Sequence, residues 1–286
     1  MPDFPIIDAH VHLWDPARFA IPWLEGAPAL NKPFSLAEYG EATKEIRVEG
    51  VVYLEIDIAP AYALIEARHV VDLASQDARI MGIIAHAPVE DGDRVRVYLE
   101  ALVALSSKIK GIRRLTQGLP DPEFCLRPGF VRGVQLLPKY GLSCDLCCTY
   151  RELGPTVELV RRCPETSFIL DHIGKPNIRG GELNPWAEQM AALASLPNTV
   201  CKISGVLTEA NLEAWTIEDV KPYVMHALEV FGEDRVVFGS DWPVVLGAAS
   251  HQRWVSTLDD LTADFSEDAK RKLWAENVRR FYRLDA

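Results

Sequence analysis

No run in this sequence is long and apolar enough to read as a membrane span, and no basic stripe stands out to meet phosphates. Its 30 Lys and Arg are outnumbered by 41 Asp and Glu, and the net charge of −11 argues against nucleic acid or an anionic bilayer as partner. Cysteine is sparse. Of the six, Cys144, Cys147 and Cys148 share one strand-like run, but no second thiol pair completes a zinc or redox motif, so they read as buried, reduced thiols. The start Met1-Pro2-Asp3-Phe4 shows neither the basic nor the long apolar region of a secretory signal, and the expected location is cytoplasmic. Internal repeats, low-complexity tracts and linker-like stretches are also missing. With 48% hydrophobic and 25% charged residues, the expectation is one soluble domain over 1–286.

What the chain does have is alternation. Eight β-rich runs recur with helical stretches between them: Ile6–His12, Val51–Asp57, Ile80–His86, Ile109–Leu115, Leu142–Cys148, Ser167–His172, Val200–Ser204 and Val236–Asp241. Several are nearly continuous apolar segments, as parallel strands covered on both faces require. This count and length predict an α/β fold, a (β/α)8 TIM barrel. The tail Ser266–Tyr282 has helical spacing, with Ser266 as its N-cap. The proline- and aromatic-rich segment 14–39 reads as a long, ordered loop at the barrel mouth.

Chemistry-bearing residues gather at the ends of the predicted strands. His10 and His12 are two apart, so on a strand both imidazoles face one way, and closure of a barrel could bring Asp241 to them. Two imidazoles and a carboxylate suit one divalent ion with an open position, zinc by ligand type, and such an ion activates water. Hydrolysis is the reaction class this points to. His172 is the inward candidate of the sixth strand, since alternation admits only one of Asp171 and His172. Of Arg113 and Arg114, one should enter the pocket, with a salt bridge to Glu55 or Asp57 as the alternative. Asp145 and Glu55 sit at other strand ends. Lys202 and Ser204 share a face and either contact substrate or fill a polar layer, and Trp14 and Trp242 are candidate pocket walls. Asp8 either orients a histidine or bonds backbone amides. His69, His226 and His251 read as surface or packing residues.

The ordered motifs Asp8-Ala9-His10-Val11-His12-Leu13-Trp14, Leu170-Asp171-His172-Ile173-Gly174-Lys175-Pro176, Val200-Cys201-Lys202-Ile203-Ser204-Gly205 and Phe238-Gly239-Ser240-Asp241-Trp242-Pro243 resemble the amidohydrolase superfamily, in its sugar-lactone hydrolase branch. The resemblance spans nearly the whole chain. It implies a (β/α)8 barrel that opens aldonolactones, with Asp241 and His172 catalytic, metal at His10, His12 and Asp241, and substrate contacts from Arg113, Trp14, Glu55, Asp145, Lys202 and Trp242. The fourth and fifth strands offer Arg113, Arg114 and Asp145 where many members place further metal ligands. One ion, or none, is therefore expected rather than two. The partner implied is a small-molecule lactone, and a homo-oligomer is compatible with the sequence. Alternatives are a metal-dependent decarboxylase, an aromatic-lactone hydrolase, and a non-catalytic barrel that binds a sugar acid.

Overall fold

Each apolar run pairs in parallel with the next one in the chain. In the computed structural model, which describes residues 1–284, the strands are β1 Ile6–Val11, β2 Val48–Leu54, β3 Ile80–His86, β4 Ile109–Arg113, β5 Ser143–Leu146, β6 Phe168–Leu170, β7 Thr199–Ile203 and β8 Val236–Phe238, ordered β1 to β8 in one sheet. Helices lie between them: α1 Leu36–Ala42, α2 Ala63–Gln76, α3 Arg96–Val103, α4 Pro128–Val134, α5 Leu153–Arg162, α6 Trp186–Ala194, α7 Ile217–Phe231 and α8 His251–Leu261. The architecture is a single-domain (β/α)8 barrel. Among the described residues, no helix is long and apolar enough to cross a membrane.

The seam between β1 and β8 is narrow. Val11 bridges Trp242, His12 N–H donates to Trp242 O at 2.8 Å, and Asp241 N–H donates to His10 O at 2.9 Å. Barrel closure therefore delivers Asp241 beside the His-x-His pair. Buried Asp8 holds this seam: Oδ1 accepts from His10 N at 3.2 Å and Ser240 N at 2.8 Å, while Oδ2 accepts from Tyr39 OH at 2.9 Å and lies 3.2 Å from His251 Nε2. Asp8 thus bonds backbone amides rather than an imidazole of the pair. His251, read as a surface or packing residue, is fully buried against it.

The barrel interior is layered. Ile7, Ala9, Val52, Leu54, Ile84, Ile169 and Val237 form its apolar floor, while Ile6, Val11, Val51, Tyr53, Ile83, Phe168 and Phe238 face the surrounding helices. The tail closes the lower end. Ser266 Oγ accepts from Ala269 N at 3.1 Å and caps α9 Glu267–Arg271, and a π-turn over Lys272–Glu276 leads into α10 Asn277–Tyr282, which sends Val278 and Tyr282 into the floor. In β1 a register shift between Asp8 and Val11 changes the side-chain phase. Ile7 and Ala9 face inward below it, and His10 and His12 face inward above it, which strict alternation would forbid.

Segment 14–39 is not wholly a loop. Trp14 and Phe34 exchange backbone hydrogen bonds at 3.0 and 2.8 Å, short 3-10 turns occupy Pro22–Gly26 and Pro28–Leu30, and α1 begins inside the segment. The unread signal was Ser35-Leu36-Ala37-Glu38, a capping box that starts α1.

Candidate active site

Three ligand-type atoms meet at the barrel mouth. His10 Nε2 lies 3.2 Å from His12 Nε2 and 3.6 Å from Asp241 Oδ1, and His12 Nε2 lies 3.5 Å from Asp241 Oδ1. All three side chains are buried. His12 Nδ1 sits 2.9 Å from Leu54 O, so that nitrogen carries the proton and leaves a lone pair on Nε2. His10 Nδ1 faces Asp171 Oδ1 at 3.4 Å, which points its Nε2 the same way.

His172 completes the group, with its ring 4.4 Å from that of His10, Nε2 4.0 Å from Asp241 Oδ1, and Nδ1 3.0 Å from Ser204 Oγ. Asp171 and His172 both reach the centre, contrary to the alternation argument. The reason is local: β6 ends at Leu170, and His172 and Ile173 adopt left-handed backbone at φ 54° and 47°, turning two consecutive side chains inward. Gly205, at φ +57°, lies so close to His172 that an added Cβ would overlap the imidazole.

Beneath the histidines lies a closed layer of charge. Lys202 Nζ is 2.6 Å from Asp145 Oδ2 and 2.9 Å from Asp171 Oδ1, and Tyr282 OH donates to Asp145 Oδ2 at 2.6 Å. Arg113 Nε donates to Glu55 Oε1 at 2.6 Å, its Nη2 donates to Glu55 O, and its Nη1 lies 3.3 Å from His10 Nε2. Arg114 turns away to Glu90 at 2.8 Å. Asp145, Lys202 and Glu55 are consumed in this layer and do not line the pocket, so the substrate contacts expected of them are replaced by support of the groups above. Trp14 and Trp242 are likewise buried outside the pocket. Trp14 Nε1 is taken by Leu30 O and Lys32 O, and Trp242 packs edge-on against Phe34 and Tyr39.

A cavity of about 210 Å³ opens above these groups, lined by His12, Arg113, His172 and Asp241 together with Trp23, Ile56, Asp57, Leu115, Gln117, Cys147, Lys175 and Val244. Sequence reasoning passed over Trp23, Gln117 and Lys175. Lys175 stands at φ +44° directly after Gly174, and the Gly-Lys-Pro sequence was the available sign of a sharp turn. Burial, then the Lys202 ammonium, the adjoining His12 ring and the Arg113 guanidinium, hold His10 well below the usual imidazole range. Burial does the same for His172 despite the opposing Asp241 charge. Burial alone would raise Asp241, but His172 and His12 outweigh it and keep the carboxyl below its ordinary value. Burial pushes the Cys147 thiol up to about 12, so it lines the pocket as a neutral group.

Two neutral imidazoles facing an ionised carboxylate are the protonation states a metal needs. Zinc–nitrogen bonds of about 2.0–2.1 Å in a tetrahedron place ligand atoms about 3.3 Å apart, and the separations of 3.2, 3.5 and 3.6 Å fit that edge. Opposed Nε2 lone pairs at this range call for a cation or a shared proton. The other buried group, His10, Asp171 and His172, is a poorer host, because the Lys202 ammonium already sits at Asp171 Oδ1.

The family model described as "Amidohydrolase" matches residues 7–284. The chain is 28% identical to an L-fucono-1,5-lactonase of Burkholderia ambifaria, over 98% of this chain and 96% of that one. It is 27% identical to an L-rhamnono-gamma-lactonase of Scheffersomyces stipitis, over 99% and 100%. A crystal structure of an amidohydrolase from Burkholderia multivorans with bound zinc superimposes at a TM-score of 0.89 with 25% identity, covering 98% of this chain and 99% of that one.

Proposed function

Because the chain belongs to the amidohydrolase family, we propose that it is a hydrolase acting on lactones, and that its substrate is a sugar-derived aldonolactone. The observation that carries this reading is the convergence of His10, His12 and Asp241 at the base of a cavity that also presents Lys175, Asp57 and Gln117. The cavity suits a small ring bearing hydroxyls: Trp23, Ile56, Leu115 and Val244 supply apolar walls, and the polar groups supply donors and acceptors.

An ion held by His10, His12 and Asp241 would supply Lewis acidity and a lower pKa for water when bound. The chain's own groups account for the proton movements. Asp241, ionised, takes the proton of the attacking water as the water oxygen bonds to the lactone carbonyl carbon. Arg113 Nη1 and the Lys175 ammonium place positive charge where the carbonyl oxygen becomes anionic, and His172 braces Asp241 from 4.0 Å. As the carbonyl re-forms, the ring C–O bond breaks and Asp241 returns its proton to the departing ring oxygen, giving the hydroxy acid.

A second reading, a lactone that itself carries an acid group, is favoured by the two cations Arg113 and Lys175 in one small cavity. A panel of aldonolactones, acid-bearing lactones and carboxylated rings, followed by pH indicator before and after chelation, separates the readings. Saturable acid release from aldonolactones supports the first and from acid-bearing lactones alone the second. Carbon dioxide release without ring opening would make the protein a decarboxylase, and ligand binding without turnover a sugar-acid-binding barrel. Zinc-dependent recovery after chelation would support the metal assignment.

A further inference from the structure

Most polar groups around the active cavity are already committed to one another. Arg113 gives Nε and Nη2 to Glu55 and turns Nη1 toward His10, and Lys175 Nζ faces Glu209 Oε1 at 3.9 Å. His172 Nδ1 is bonded to Ser204 Oγ, and Asp241 belongs to the metal-type group. Two groups are left over. Among the described residues, no hydrogen bond or ion pair reaches the carboxylate of Asp57, an exposed residue of the cavity wall, and none reaches the amide nitrogen of Gln117.

Both are firmly held. Asp57 follows β2 at φ +50°, a left-handed position that aspartate tolerates better than most residues. Its N–H donates to Glu55 Oε2 at 2.7 Å, Ile56 N–H donates to Glu66 Oε1 at 3.0 Å, and Ile56 O accepts from Trp23 Nε1 at 2.9 Å, so the turn that presents it is fixed on three sides. Glycine would satisfy that backbone equally well. What aspartate adds is a carboxylate. Gln117 is tied twice to Cys147: its N–H donates to Cys147 O at 3.2 Å, and its Oε1 accepts from the Cys147 thiol at 3.4 Å. With Oε1 turned to the sulfur, the Nε2 donors are left for a ligand.

We propose that Asp57 and Gln117 are the specificity-determining residues of this cavity and that they read ring hydroxyls, Asp57 accepting from a hydroxyl O–H and Gln117 Nε2 donating to a hydroxyl oxygen. A hydroxyl is donor and acceptor at once, so the pair suits it, and an unsubstituted ring offers neither group a partner. Resting on the lactone reading, this assignment favours a neutral hydroxylated ring over one that carries an acid. A carboxylate without an ion-pair partner opposes a second anion, and the cations that would grip an acid already face Glu55 and Glu209.

The test compares wild type with Asp57→Gly, which keeps the left-handed turn, and Gln117→Met, which keeps the side-chain length. For a panel of γ- and δ-aldonolactones, kcat/KM should fall about 10- to 100-fold in Asp57→Gly, as loss of a hydrogen bond to a charged group implies, and about 3- to 10-fold in Gln117→Met. For γ-butyrolactone and δ-valerolactone, which carry no hydroxyl, it should stay level. The acid-bearing 5-oxotetrahydrofuran-2-carboxylate should be opened at least as well by Asp57→Gly as by wild type. Binding is read separately with 1,4- and 1,5-anhydroalditols, cyclic polyols without a carbonyl, from the chemical shift of the Trp23 indole N–H. Wild type should bind them, and Asp57→Gly should bind them about tenfold or more weakly. That loss supports hydroxyl recognition even where no lactone is opened, an outcome that sinks only the lactone reading. Unchanged anhydroalditol binding in Asp57→Gly, no binding of any of them by wild type, or an equal loss of turnover on hydroxylated and unsubstituted rings overturns the proposal.

Discussion

Replacing Gly205 with alanine separates the placement of His172 from the general cost of disturbing the fold. Gly205 is at φ +57°, and left-handed backbone costs an alanine about 1–2 kcal/mol wherever it occurs. The second cost is local, because the new methyl overlaps the His172 imidazole. That ring cannot slide aside freely, being bonded to Ser204 Oγ at 3.0 Å and packed at a tilt against the His10 ring, 4.4 Å away. It must turn away from Asp241. Losing one positioned stabiliser of this kind costs about 10²–10³ in turnover, or about 3–4 kcal/mol of barrier. Gly141 is the control: its φ is +69° and an added Cβ meets nothing within 4 Å. Urea unfolding should therefore show a loss of about 1–2 kcal/mol for Gly141→Ala and a larger one for Gly205→Ala, which adds the overlap to the backbone cost, whereas kcat/KM should fall only in the latter. Equal kcat/KM in the two variants refutes the reasoning, since His172 would then be packing rather than chemistry.

The pH dependence of kcat/KM follows from three groups. Asp241 acts ionised and is held below its ordinary 3.8, so activity is lost only as pH falls through that lower value. His10 and His172 are held well below 6.5 and stay neutral there, so the profile should run level through 6.5 while circular dichroism shows the chain folded. An acid limb centred near 6.5 would mean that an imidazole charges, against this electrostatic account. Lys202→Met leaves Asp145 and Asp171 without their shared ammonium, and breaking a buried pair in this way costs about 3–5 kcal/mol. Urea denaturation should register that loss; a change under about 1 kcal/mol would show that the charge layer does not hold the barrel together.

Much of this fold is written in short apolar runs, and each predicted run contains or overlaps its strand. Strand ends were not legible. β2 stops at Leu54, β6 at Leu170 and β8 at Phe238, and the residues after them leave extended geometry: Asp57, His172, Ile173, Lys175 and Asp241 all have positive φ. Side-chain alternation governs a strand and fails on the turn that follows, which is why Asp171 was set aside and Lys175 overlooked. His10 and His12 share a face as their spacing suggested, yet they look inward only because of the register shift in β1, which no spacing rule reveals. Charged strand-end residues were recognisable as a group. Which of them reach the cavity, as Arg113 does, and which neutralise one another below it, as Asp145 and Lys202 do, depends on depth in the barrel rather than on residue type.

The decisive measurement is the initial rate of acid release from aldonolactones by wild type and Asp241→Asn, with both proteins shown to be folded. The account predicts saturable turnover in wild type and a loss of about 10²–10⁴ in the variant, the range for a missing general base. Matching rates in the two proteins would contradict it.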